Sequence, residues 1–267
     1  MTGRVLIVAG SDSGGGAGIQ ADIKTVTALG GYAATAVTAL TAQNTRGVFG
    51  VFGVAPDFIQ QQMWLVLDDI GADAVKTGML HTAEVIEAVC EVLESRDPPL
   101  PLVADPVMVA QSGDPLLDPD AMDALAGRLL PLATVLTPNA PEAERLTGLT
   151  IATLDDMVRA AERLLAMGPR AVLLKGGHLA GDTVHDVLAT AEGTETFESP
   201  RLDTVHTHGT GCTLASAIAA GLAQKLSLRE AVVRARAYLY QAIRTAPGLG
   251  GGHGPVNHGH TVGPFEG

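Results

Sequence analysis

Short apolar runs rich in Val, Leu and Ala alternate with longer helical stretches along most of the chain, and this alternation restricts the fold more than any other feature. Val5–Ala9, Ala34–Leu40, Ala74–Thr77, Leu102–Asp105, Thr134–Thr137 and Ala171–Lys175 read as buried strands, each ending at polar, Gly or Pro residues. Ala17–Leu29, Pro56–Leu67, Thr82–Leu93, Asp120–Leu130 and Leu154–Met167 read as helices. Strand and helix in alternation bury one another as an α/β fold, with a mostly parallel central sheet and helices on both faces. Val48–Val54 is read as an additional strand, and Val184–Thr190 with Thr194–Glu198 as a hairpin. Two more helices, Cys212–Gln224 and Leu228–Thr245, precede a Gly/His-rich tail at Gly248–His260. No repeat and no linker divides residues 1–267, so a single domain is expected.

Charge and composition narrow the function. The formal net charge is −12, which argues against nucleic acid, because Lys and Arg on phosphates supply most of that affinity. Aromatic residues are only 3%, too few for a base-stacking platform. Two Cys cannot build a disulfide framework, and a reducing cytoplasm is expected. The longest N-terminal apolar run, Val5–Gly10, is too short for a signal-peptide core or a membrane span. The expectation is a cytoplasmic protein that binds small molecules, without nucleic-acid or membrane partners.

Polar and Gly residues collect just after six of the strands: Gly10–Gly18, Thr41–Thr45, Lys76–Met79, Asp105–Met108, Thr137–Asn139 and Lys175–His178. In a parallel sheet these segments share the carboxyl edge, where ligands bind. The opposite edge, for instance Asp97–Pro101, lacks the pattern. Gly16–Ala21 matches the G-x-G-x-x-A dinucleotide fingerprint, but the next strand ends Thr41-Ala42-Gln43 without the carboxylate that would hold a ribose hydroxyl. No Walker A sequence is present. Asp22, one turn into the following helix, suits either ligand contact or the helix N-terminus.

The sharpest chemistry lies at His208-Gly209-Thr210-Gly211-Cys212, where a Gly-rich loop runs into a helix of small residues. Unpaired first-turn N–H groups prepare such a place for an anion. The same setting is expected to depress the Cys212 thiol pKa, so that Cys212 can take a proton or attack an electrophile. Cys90 reads as a buried hydrophobe. Asn139 and Glu142, three apart at a helix start, suit Mg²⁺ or its waters, or equally a helix cap. Lysine is scarce, at four residues against 13 Arg, and Lys175 before Gly176-Gly177 is the expected phosphate neighbour. His206, His208, His253, His258 and His260 make a thin case for zinc.

Gly10–Lys24, Ala39–Gly47, Val75–Leu80, Asp105–Leu117, Thr137–Glu142, Leu174–His178 and His206–Cys212 together resemble the hydroxymethylpyrimidine/phosphomethylpyrimidine kinases, the thiamine-pathway branch of the ribokinase-like family. The likeness runs to Gly254-Pro255-Val256. It implies a three-layer αβα fold and a cytoplasmic homodimer. It also implies ATP and Mg²⁺, with transfer of phosphate to 4-amino-5-hydroxymethyl-2-methylpyrimidine and then to its monophosphate. On this reading Cys212 is the base and Gly209 and Gly211 stabilise the transferring phosphoryl group. Gly10, Asp22, Gln43, Met79 and Val107 hold the pyrimidine. Lys175, Thr210 and Asp105 hold ATP, and Asn139 and Glu142 hold the metal. Two positions depart from the family pattern, which often has Ser at Gly14 and Lys at Gln111. Pyridoxal kinase, an NAD-dependent oxidoreductase and a non-catalytic pyrimidine sensor are the alternatives.

Overall fold

The computed structural model describes residues 2–263. Six strands run parallel: β1 (Arg4–Asp12), β2 (Tyr32–Asn44), β4 (Ala74–Thr77), β5 (Leu102–Ala104), β6 (Val135–Leu136) and β7 (Ala171–Leu174). Antiparallel strands flank them. β3 (Gly47–Gly53) pairs with β2, and the hairpin of β8 (Thr183–Thr190) and β9 (Gly193–Pro200) extends β7. The resulting order is β3-β2-β1-β4-β5-β6-β7-β8-β9.

Alternation along the strands sorts the core into two halves, because successive side chains point to opposite faces. Val5, Ile7 and Ala9 share one cluster with α1 (Gly18–Ala28), α7 (Thr210–Ala223) and α8 (Leu228–Arg244). Leu6 and Val8 share the other with α2 (Pro56–Asp69), α3 (Ala83–Glu94), α5 (Ala140–Thr147) and α6 (Leu154–Leu165). This is the three-layer αβα arrangement. Every residue of α7 from Thr213 to Gly221 is buried. Its small side chains let the helix lie close on the middle of the sheet, against β1, β4 and β5.

One expected helix differs. Asp120–Leu130 is not continuous. A 3₁₀ turn (Pro119–Ala121), a single turn α4 (Met122–Ala124), a wider turn (Leu125–Leu129) and a second 3₁₀ turn (Leu130–Leu132) replace it. Gly127 lowers helix propensity, and Pro131 supplies no N–H for an i→i−4 bond. The final helix pair also shifts slightly, since α7 starts at Thr210 rather than Cys212. Among the described residues no helix is long and apolar enough to cross a membrane.

The chain order explains where a ligand can enter. From β1 the chain passes through α1 to β2 on one side; from β3 it returns through α2 to β4 on the other side of β1. The direction reverses at β1, and the carboxyl ends there open a crevice. Leu6, fully buried at the centre of β1, holds this middle of the sheet against the second layer. Leu6→Ala is expected to cost about 2–5 kcal/mol, read as a lowered urea midpoint with unchanged slope.

Candidate active site

All six post-strand segments line one cavity of about 1010 Å³ at the carboxyl edge. Gly10, Gln43, Met79, Val107 and Leu116 form one lobe, toward the β2 and β1 end of the sheet. Met79 and Leu116 pack with Ala39, Val48 and Val107 into a small apolar cluster that makes its wall. The Gln43 amide lies 3.0 Å from Thr41 Oγ1, whose one proton also has Ser11 O at 2.9 Å. The second lobe lies toward β9, between Val184, Ser199–Leu202 and the face of α8 carrying Val233, Arg236, Ala237 and Tyr240. Gly209, Thr210, Gly211 and Cys212 line the same cavity, as do Asp105, Asn139, Glu142 and Lys175. Gln111 lines it from an exposed loop.

Two Gly-rich turns interlock beneath the first lobe. Gly209 caps α7 with φ +82°, a conformation that favours Gly, and an added Cβ there would lie 1.9 Å from the Gly16 carbonyl oxygen. Gly211 has no positive φ; an added Cβ there would lie 3.3 Å from Lys175 Nζ and 3.6 Å from Asp105 Oδ2. Within α7, the first intrahelical bond is donated by the Thr213 N–H to Gly209 O, so the preceding N–H groups of Gly211 and Cys212 have no helical acceptor.

Asp12 ties the two turns together, and sequence reasoning passed over it. Its carboxylate accepts N–H groups of Gly14 at 2.7 Å, Gly16 at 3.0 Å and Ala17 at 2.8 Å, and it meets His208 Nε2 at 2.8 Å. Burial pushes the Asp12 pKa up, but the His208 bond and the N–H donors outweigh it, and the net direction is down. The first loop therefore spends its anion-binding N–H groups on a carboxylate of its own, which is why a G-x-G-x-x-A match here does not make a dinucleotide site. The Gly/His-rich tail closes over the same place: the His208 N–H donates to Gly254 O at 3.1 Å and the His253 N–H to Thr45 O at 2.8 Å.

The placement of Asp22 against the pyrimidine is overturned. Asp22 is fully buried under the cavity, outside its lining. Both carboxylate oxygens bind Lys76 Nζ, at 3.0 and 2.9 Å, and Oδ1 also accepts from Ser216 Oγ at 2.6 Å. Burial pulls the Lys76 ammonium down, but the negative charges of Asp22, Cys212 and Asp105 outweigh it and raise it overall. Neither Lys76 nor Ser216 was singled out by pattern.

The depressed thiol is overturned as well. Burial pushes Cys212 up to about 11. Lys76 and the Gly18 N–H offset part of this, and Asp22 and Asp105 add to it. Cys90 behaves as expected, buried and pushed up to about 12 by desolvation.

Asn139 and Glu142 form a reciprocal cap of α5. Glu142 N–H donates to Asn139 Oδ1 at 2.9 Å and Asn139 N–H to Glu142 Oε2 at 2.8 Å. Burial raises Glu142 to about 7, Lys175 opposes, and Asp105 adds to the rise. Lys175 Nζ bonds Asp105 Oδ1 at 2.9 Å, and Thr137 Oγ1 donates to the same oxygen at 3.0 Å. No group of three or more His, Cys, Asp or Glu among the described residues could hold a metal, so a cation here would rest on Glu142, Asp105 and water. A buried Glu142 whose ionisation is opposed by the neighbouring Asp105 suits a cation that keeps its waters.

Residues 12–257 match the family model described as phosphomethylpyrimidine kinase. A hydroxymethylpyrimidine/phosphomethylpyrimidine kinase of Streptomyces coelicolor is 52% identical over 259 residues, 97% of this chain and 95% of that one. A thiamine biosynthesis bifunctional protein of Geobacter sulfurreducens is 57% identical over 257 residues, 96% of this chain; the chain spans about half of it, 52%. Among solved structures, an ADP complex of Bacillus subtilis pyridoxal kinase gives a TM-score of 0.89 at 38% identity, covering 97% of this chain and 98% of that one.

A thiol raised to about 11 leaves about one in a thousand ionised at pH 8, and the thiolate is the form that alkylates. Iodoacetamide should therefore modify Cys212 slowly at pH 8, with the rate climbing about tenfold per pH unit. Mass spectrometry of labelled peptides checks this; a rate already level above pH 8 would place the thiol pKa far lower.

Proposed function

Because the chain belongs to the phosphomethylpyrimidine kinase family, we propose that its two-lobed cavity brings ATP and 4-amino-5-hydroxymethyl-2-methylpyrimidine together across the Gly209–Cys212 turn. The family and its named relatives make this chain a phosphotransferase with the ribokinase-like fold, acting in two phosphorylation steps of thiamine biosynthesis. The observation that carries the arrangement is the unpaired N-terminus of α7, which stands between an apolar lobe with the Gln43 amide and a longer lobe walled by α8. The hydroxymethyl group of the pyrimidine lies at Cys212, its ring against Met79 and Val107. Gly10 backs the ring, and the Gln43 amide faces its aminopyrimidine edge. The nucleotide occupies the lobe toward β9.

In phosphoryl transfer the loose transition state spreads charge over the equatorial oxygens, and positioned donors stabilise it. The N–H groups of Gly211 and Cys212 serve that purpose; Thr210, whose own N–H is donated to Thr207 O at 3.3 Å, lines the nucleotide side, and Lys175, held by Asp105, lies beside the phosphates. Glu142, oriented by Asn139 through the cap, would hold Mg²⁺ through water with Asp105. The metal would supply charge neutralisation to the phosphates. Cys212 receives the proton of the acceptor hydroxyl. Its high pKa means that the thiolate form, a minor population at neutral pH, is the one that works. We also assign the chain, as one kinase domain, to a cytoplasmic homodimer; the exposed apolar edge strand β3, with Phe49 at 72% and Phe52 at 71% exposure, supports a self-associating surface.

Turnover of ATP with the pyrimidine alcohol, its monophosphate and pyridoxal, side by side, tests the substrate. The first two should turn over well above pyridoxal. Preferred pyridoxal, in line with the likeness to the Bacillus subtilis pyridoxal kinase, would overturn the acceptor assignment.

The proton role has its own signature. With both substrates saturating, wild-type kcat should rise about tenfold per unit between pH 7 and 9, because the thiolate fraction rises so below a pKa of about 11. Cys212→Ala should lose roughly 10²–10⁴ in kcat and lose that slope, with little change in acceptor KM. A loss under about tenfold with an unchanged profile would leave the amides as the catalysts and remove Cys212 from proton transfer.

A further inference from the structure

Asp186 is the one acid in the β8 run Val184–Thr190, and neither strand pairing nor the acceptor lobe calls for it. It is buried, at 8% exposure, yet it lines the cavity at the lobe toward β9. Its two oxygens have separate partners. Oδ1 accepts the Gly176 N–H at 3.0 Å, and Oδ2 accepts Arg236 Nε at 2.7 Å. Arg236 comes from α8, on the far wall of the lobe. Its guanidinium lies over the Phe197 ring, 5.3 Å from the centroid, and reaches Ser199 Oγ at 3.4 Å. Stacking and ion pair together leave the guanidinium little freedom.

The other partner sits at a decisive place. Gly176 directly follows Lys175, the lysine that bonds Asp105 at the cavity floor. Gly176 has no room for a side chain: an added Cβ would lie 1.8 Å from the His185 carbonyl oxygen. The loop 175–178 thus packs hard against β8, and its buried N–H has one acceptor, Asp186 Oδ1. A buried N–H deprived of its acceptor would pull the loop toward water or another partner, and Lys175 would move with it.

We propose that Asp186 is a positioning residue for the nucleotide, which through Gly176 and Arg236 fixes the Lys175 loop to the α8 wall of the ATP lobe. This rests on the reading of that lobe as the nucleotide side. Asp186 touches no reacting atom. It sets the distance between the two surfaces that grip the phosphates and the remainder of the nucleotide. The acceptor lobe, at the other end of the sheet, does not depend on it.

Steady-state kinetics with ATP and the pyrimidine alcohol tests the assignment, with folding of each variant checked by circular dichroism. Asp186→Ala should raise the KM for ATP about tenfold or more while acceptor KM stays within about twofold. Asp186→Asn keeps an oxygen for the Gly176 N–H but turns an NH₂ toward Arg236 Nε, so it should recover part of the lost ATP affinity and not all of it. A folded Asp186→Ala enzyme with unchanged ATP KM, or with both KM values raised alike, would overturn the proposal, as would Asp186→Asn as impaired as Asp186→Ala. A merely structural role would not split the two KM values. If Asp186→Ala does not fold, hydrogen exchange in the wild type decides. The Gly176 amide should exchange at least tenfold more slowly than that of Gly177, and equal rates would sink the assignment. Failure of the kinase reading itself would look different: the wild type would show no ATP-dependent turnover of the pyrimidine alcohol.

Discussion

A fully buried ion pair under the cavity is the constraint from which the rest of the site hangs. Lys76 comes from β4, Asp22 from α1 and Ser216 from α7, and one carboxylate binds the other two. Taking two charges out of water is costly, and the attraction repays it only with good geometry and further hydrogen bonds. Here both oxygens are used, so the pair is tolerable only when all three elements sit in register. That requirement specifies how α1 and α7, both of which begin at the cavity, lie on the sheet. The same ammonium also offsets part of the effect of burial on the Cys212 thiol.

Above that pair, the two Gly-rich turns are fixed by a different charge. Asp12 gathers three N–H groups of the first turn and His208 of the second. The bond crosses 196 positions of sequence, so it forms only after the sheet is assembled. It also decides the chemistry. With its N–H groups occupied from within, the first turn shapes the pocket, and the free N–H groups of α7 are left to meet an anion. Two loops of similar composition therefore carry unlike roles because one has its own carboxylate.

The fold was largely legible because its signals are local. Alternation of strand and helix specifies the layers, and the six post-strand segments do share one cavity. The misreadings arise where a property depends on residues far apart in the chain. Asp22, one turn beyond the Gly loop, suited a ligand contact as well as a helix N-terminus, whereas Lys76 and Ser216 enclose it. The helix Asp120–Leu130 failed on Gly127 and Pro131, signals that were present in the sequence and underweighted. The lobe toward β9 was missed because α8 contributes to it at helical spacing, Val233, Arg236, Ala237 and Tyr240, a pattern that equally describes a helix packed on a core. Asp186, the one acid in β8, was the available signal.

The thiol shows how magnitude decides between two true statements. A helix N-terminus does favour a thiolate, by partial charges that act over the first turn. Desolvation acts in the other direction, and at the half-buried Cys212 it is the larger effect. The surrounding charges deepen the conflict: Asp22 and Asp105 disfavour another anion, while Lys76 favours it. Glu142, raised to about 7 by burial and by Asp105, reports the same excess of buried negative charge on the other side of Lys175. A polyphosphate entering this cavity would add to that excess and raise both groups further. The two lysines are already paired with Asp22 and Asp105, and Arg236 with Asp186. On the proposed reading, a cation arriving with the nucleotide would offset part of that charge, and Glu142 would then serve hydrated Mg²⁺ as well as capping its helix.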